Sequence, residues 1–256
     1  MKHGKRVTSF VVSLFAMLSF GAFAADAKNC QLTLGYDSWE PYQYLDIGNE
    51  VRGMDVELVR MVADRMPCKI SYAQGTWIDL LPKLKVGEID LLLGASKTAD
   101  REKYALFSDA YRGEEFLLYI RKEDEELSQH NTFTDFIGSG KKLGVVEDYF
   151  YGEELSSLQD KKQADKQFVG AIMGELNIAR LLDEDIDAFV EDSFVGASML
   201  RRKGLNTLIV PQGIKVKTGD VYIMFSRNSV SPQLVAKFNQ ALAEVKNSGE
   251  YEALIK

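Results

Sequence analysis

Hydrophobic and polar positions along this chain follow two periods, and the switches between them outline its elements. In "CQLTLGYDSWEPYQYLD", Leu32, Leu34 and Tyr36 recur at every second position, as on a half-buried strand. Pro41 ends that run in a polar turn carrying Trp39, Tyr42 and Tyr44. From Asp55 to Met66 the spacing becomes helical, with Leu58, Val59, Val62 and Met66 on one face. "CKISYAQ" reads as strand, "TWIDLLPKLKVG" as a short helix closed by Gly87, and "EIDLLLGAS" as a buried strand. This order of strands and helices predicts a parallel α/β sheet.

A second series of the same kind follows. "KKLGVVED", "IDAFVED" and "NTLIVP" read as strands, and "MGELNIARLLDED" and "SFVGASMLRRKG" as the helices between them. The polar segment "RKEDEELSQHNTFTD" separates the two series. "VYIMFSR" adds a strand after Gly219. The last helix has Ser231 as cap, Pro232 at its first position, Leu234, Phe238, Leu242 and Val245 on one face, and Gly249 at its end. Two α/β lobes in one chain account for this pattern. Ligands of open α/β sheets sit beyond the carboxyl ends of strands, which directs attention to four strand ends.

Composition narrows the choices. The chain has 256 residues, 46% hydrophobic and 27% charged, an ordinary globular make-up. Lys2, Lys5 and Arg6, the apolar run Phe10–Phe20 and the sequence Ala22-Phe23-Ala24 predict a cleavable secretory signal peptide over residues 1–24. Without it, 28 basic residues face 38 acidic ones, a net charge of −10. Such a surface repels nucleic acid, so none is expected as a partner. No cofactor and no metal are expected: only His130 would remain for a histidine-based zinc site or a catalytic triad, and no calcium-loop spacing is present. Cys30 and Cys68, in a chain bound for an oxidising compartment, are open to a structural bridge or to two unpaired thiols.

The stretch "LLLGASKTADREKY" carries the chemistry. Gly94 allows close approach to the backbone, Thr98 is placed to cap the short helix that follows, and Arg101 offers a planar fork matching a carboxylate. A capped helix with Arg101 paired to a surface acid would use the same residues. In the other series, Asp192 ends "IDAFVED". Opposite Arg101 across a cleft it would complement a zwitterion, and alone it would serve as a helix cap. Trp39 could cover a ligand side chain or belong to the core.

Four segments together, "GMDVELVRMVADRM", "KVGEIDLLLGASKTADREKYALFSDAY", "IDAFVEDSFVGASM" and "NSGEYEALIK", resemble the periplasmic solute-binding proteins of polar amino acid ABC transporters. The string Gly94, Thr98, Arg101, Phe107, Ser108 and Tyr111 matches that family's pattern. The resemblance implies a two-lobed binding-protein fold, each lobe a mixed sheet flanked by helices, joined by a two-strand hinge near 111–113 and 219–221. It implies lobe I over 25–112 with 221–256, and lobe II over 113–220. It assigns the carboxylate to Arg101, the ammonium to Asp192, nearby contacts to Ser96 and Thr98, the aromatic lid to Trp39 and an apolar wall to Trp77. A monomeric periplasmic protein that hands a small solute to a permease or a sensor is the function implied.

One departure stands out. Where the family has a Gly-Thr/Ser-Thr turn donating amides to the carboxylate, this chain has Asp148-Tyr149-Phe150, which puts Tyr149 on the site wall. A cationic, an aromatic or a non-α-amino-acid ligand is left open by that change. The competing reading is an enzyme on the same scaffold, similar to the cyclohexadienyl dehydratases, with Glu40, Glu114, Glu147 or Asp148 as proton donor. No arrangement of these residues demands it, and no catalytic residue is assigned.

Overall fold

The computed structural model describes Met1 and residues 30–254 other than 163 and 165. The signal peptide expected over residues 1–24 lies, beyond Met1, outside the described residues. The first series of elements is β1 (Cys30–Tyr36), β2 (Tyr44–Leu45), β3 (Val51–Arg52), α1 (Met54–Arg65), β4 (Cys68–Gln74), α2 (Trp77–Val86) and β5 (Leu91–Ser96). The four-residue helix α3 (Ala99–Glu102) and the short strand β6 (Ala105–Phe107) lead into a ten-residue strand, β7 (Arg112–Arg121). The second series is α4 (Phe133–Gly138), β8 (Leu143–Val146), α5 (Gly152–Gln159), β9 (Phe168–Ala171), α6 (Gly174–Leu182), β10 (Ala188–Asp192) and α7 (Ser193–Lys203). The long strand β11 (Ile209–Ser226) and helices α8 (Pro232–Asn247) and α9 (Glu250–Leu254) complete the chain.

One hydrogen-bonded path runs β4-β1-β5-β11-β7-β10-β8-β9. Its outer strand pairs are parallel, as the βαβ alternation requires, and the antiparallel pairs gather around β7 and β11. The strand expected at "NTLIVP" and the one at "VYIMFSR" are a single 18-residue strand. Polar composition between them concealed the continuity. Register shifts between Pro211 and Lys215 and between Lys217 and Gly219 let β11 bend while it stays paired with β7.

Local signals and observed element ends agree. Thr98 caps α3, Ser231 caps α8 with Pro232 next to it, and Gly87 ends α2 in the left-handed region at φ 83°. Side chains of α1 and α8 bury Leu34, Val59, Phe225, Phe238 and Leu242 on one face of the β1–β5 region, while α2 buries Leu80, Leu84 and Met224 on the other. A separate core forms around Phe116, Phe133, Phe136, Leu143 and Val190. Trp39 and Tyr42 pack into a fourth cluster whose remaining buried members all come from residues 119–209. These two rings therefore join the parts of the molecule that the two series build.

Cys30 and Cys68 are bonded as a disulfide at the first register pair of β1 and β4. With the two cysteines 38 positions apart, loop entropy removed from the unfolded chain is worth about 2–4 kcal/mol.

Candidate functional site

A narrow cleft opens where β1 and β5 end. Its lining includes Asp37, Trp39, Trp77, Ser96, Arg101 and Tyr149, with Glu114 and Phe116 of β7 as its floor. The space between these side chains is small, about 30 Å³ for the centre of a water-sized sphere.

Arg101 is the cation of this cleft, although its residue is only 8% exposed. Capping by Thr98, whose Oγ1 accepts from the Arg101 amide at 3.3 Å, fixes the backbone of α3 and turns the side chain inward. Nη1 donates to the Ser96 carbonyl at 2.9 Å and Nη2 to the Asp148 carbonyl at 2.8 Å. The guanidinium lies 5.1 Å from the Trp77 ring. Among the described residues no carboxylate comes within 4.0 Å of it. Burial lowers its pKa below the ordinary arginine value, the direction expected of a desolvated cation, while Tyr104, Glu114 and Asp148 act the other way.

The walls are aromatic. The edge of Tyr149 meets Trp39 at 6.2 Å and Trp77 at 6.0 Å between ring centres. At the turn after β8, where the sequence departs from the family's amide-donating pattern, a backbone oxygen faces the cleft. Asp148, at φ 60°, aims its carbonyl at the cleft, and that oxygen accepts from both Arg101 and the Trp77 indole (3.1 Å). This turn thus presents an acceptor to the cleft, and the Arg101 guanidinium and the Trp77 indole both bind it.

Of the residues singled out by sequence, Trp39, Trp77, Gly94, Ser96, Arg101 and Tyr149 come together in this lining. Thr98 and Asp192 are not part of it. The Thr98 hydroxyl is occupied as a cap, and the four-residue α3 is too short to offer a helix-end anion site of its own. Asp192 adjoins a neighbouring recess with Tyr42 and Glu114. Its Oδ1 caps α7, accepting from the amides of Phe194 (2.9 Å) and Val195 (3.1 Å). Gly94 also has a different reason from the one expected. It sits at φ 64°, and a Cβ there would lie 2.9 Å from the Trp39 ring, so the close approach it permits is that of Trp39.

Sequence reasoning missed the groups that hold Trp39 in place. Arg112 stacks on Tyr42 at 3.7 Å and lies 5.5 Å from Trp39. It is bound by Asp55 of α1, with N–O distances of 3.1 to 3.3 Å. Glu191, beside the predicted Asp192, accepts from the Trp39 indole at 3.3 Å. An uncommon polar residue inside an apolar strand was the available signal for Glu191. Asp55 and Arg112 carried no signal, since exposed ion pairs look the same in sequence.

Burial pushes Glu191 up to about 8, Glu114 to about 7 and Asp37 to about 6. Unfolded carboxyls titrate near ~4.3. Between about pH 4.5 and about 8 the folded protein therefore holds protons that the unfolded chain has released, and stability falls as pH rises through that window. Glu191→Gln keeps an acceptor for Trp39 and is expected to flatten the upper part of this decline in chemical denaturation. A slope identical to that of the parent protein would show that Glu191 is ionised in the fold.

An α/β chain with two long paired strands at its centre and an aromatic cleft holding a buried guanidinium has the make-up of a site for a small solute. The chain belongs to the bacterial extracellular solute-binding proteins, family 3, whose pattern matches residues 32–256. It is 27% identical to the arginine-binding extracellular protein ArtP of Bacillus subtilis (strain 168), over 94% of this chain and 92% of that one. It is 28% identical to a probable histidine-binding protein of Neisseria gonorrhoeae, over 84% and 77% of the two chains. Its fold is that of an ancestral arginine-binding protein solved with arginine, with a TM-score of 0.76 at 22% identity over 88% and 96% of the two chains. These relatives are named for binding and not for catalysis, which supports a non-enzymatic protein over the dehydratase alternative.

Proposed function

We propose that this protein captures an amino acid in the cleft by closure of two lobes and delivers it, as a monomer in the periplasm, to an ABC importer. The lobes are residues 25–112 with 221–256, and 113–220, moving about β7 and β11 where Gly113 faces Asp220. The observation that carries this reading is Arg101, a buried guanidinium with no carboxylate partner among the described residues, in an aromatic cleft. A ligand carboxylate takes the place of the Asp148 carbonyl on Arg101, gaining a charge-assisted fork in exchange for a neutral bond. Ser96 and Thr98 border that end, Asp192 receives the ammonium, and Trp39, Trp77 and Tyr149 enclose the side chain. The names of the relatives make arginine and histidine the first solutes to try.

The test is a thermal-shift screen of the mature chain, refolded to remove any carried-over ligand, against amino acids, polyamines and small organic acids. A solute at a hundred times its dissociation constant stabilises by about 2.7 kcal/mol. A hit among amino acids is expected. Silence there with a hit on an organic acid would reject the amino acid reading and bring the dehydratase-like alternative forward.

A further inference from the structure

Two buried carboxyl groups line a recess at the paired strands β7 and β11, and among the described residues neither forms an ion pair, although the exposed Lys217 borders the same recess. Glu114, the third residue of β7, faces inward on the strand face shared with Phe116, and only 7% of the residue is exposed. It reaches both the cleft and the recess beside Tyr42, and it alone belongs to both linings. Its Oε2 accepts from the Thr218 hydroxyl at 2.7 Å. Asp192, 1% exposed, lines the same recess. The Tyr42 hydroxyl approaches it, yet its Oδ2 closes no hydrogen bond of normal geometry.

Among the described residues neither carboxyl has a lysine or arginine nitrogen within 4.0 Å. The nearby Arg112 is already committed to Asp55 at 3.1 Å. Buried acids without partners carry a desolvation cost that a cation of the right size would offset. Arg101 and Glu114 border one cleft, and Glu114 and Asp192 border the neighbouring recess. Glu114 is thus the carboxyl common to the cleft that holds the guanidinium and to the recess that holds Asp192.

We infer that Glu114 is a ligand-binding residue that shares the ammonium of the solute with Asp192, so that the site takes a compact primary ammonium between two carboxylates and a carboxylate on Arg101. This deepens the amino acid reading and rests on it. A carboxyl that serves only to bond Thr218 across the hinge strands would be indifferent to the ligand's ammonium. That difference makes the two roles separable.

The experiment is titration calorimetry on the mature protein with the tightest binder among L-arginine, L-lysine, L-histidine and L-glutamine, and with its analogue lacking the α-ammonium. Glu114→Gln retains an acceptor for Thr218. It is expected to weaken the amino acid by about 10- to 100-fold while changing affinity for the deaminated analogue less than about threefold. Equal losses for the two ligands, or no loss, would overturn the role of Glu114. If Arg101→Ala removes binding while Glu114→Gln leaves it intact, the inference fails and the amino acid reading stands. If the parent protein binds no amino acid in the thermal-shift screen, both fail together. Thr218→Val, which removes the hinge bond and leaves the carboxyl, is expected to bind the amino acid within about threefold of the parent; a loss matching that of Glu114→Gln would return Glu114 to a structural role.

Discussion

Arg101→Ala is expected to lower solute affinity by about 100-fold or more, the loss of a bidentate charge-assisted pair in a desolvated cleft. The folded state should lose far less. The two carbonyls that Arg101 serves belong to Ser96, at the end of β5, and to Asp148, which is exposed, so water can reach at least one of them after truncation. Arg101→Lys separates charge from geometry. A lysine keeps the positive charge but cannot offer two parallel N–H groups or stack on Trp77, so an intermediate loss is expected. Calorimetry for affinity and thermal melts for stability check both variants. Affinity unchanged in Arg101→Ala would remove Arg101 from the site.

For stability the largest effect is expected at Asp55, on the opposite side of the aromatic wall. Its carboxylate, 3% exposed, binds the Arg112 guanidinium and accepts from the Tyr111 hydroxyl at 2.5 Å. That hydroxyl in turn accepts from the Gly94 amide at 2.9 Å. Asp55→Asn removes the charge and leaves Arg112 buried without compensation, a loss of about 3–5 kcal/mol. The strand end at Gly94 and the Trp39–Tyr42 wall rest on this network, so affinity should fall as well. Replacing both partners by apolar residues, Asp55→Leu with Arg112→Met, should recover much of the stability, since no charge is then stranded. It should not recover binding, because Arg112 would no longer support Tyr42. Urea denaturation decides the matter: a loss below about 1 kcal/mol for Asp55→Asn would mean that the pair is solvated in solution.

Much of the fold was legible because its signals are local. The alternation of β1, the helical faces of α1 and α8, and the caps at Thr98, Gly87 and Ser231 depend on neighbours within a turn or two. The continuity of β11 was not legible. It depends on pairing with β7, and the intervening "QGIKVKTGD" has the polar composition of a loop. The site divides in the same way. Arg101 and Ser96 could be picked out because a buried strand ending in a guanidinium and hydroxyls is unusual within a few residues.

The sequence by itself determined the class of fold and the family and singled out Arg101, since each is written in short-range periodicity or in motifs. The tertiary structure alone decided what surrounds that guanidinium. It gave Gly94 its purpose beneath Trp39, divided Asp192 between a helix cap and an unpaired oxygen, and aimed the Asp148 carbonyl at Arg101. It also brought Asp55 to Arg112 across 57 positions and Trp39 to Glu191 across 152. No local pattern encodes such distances. The partners of a buried charge are chosen by which strands pack side by side, and that choice is made by the whole core.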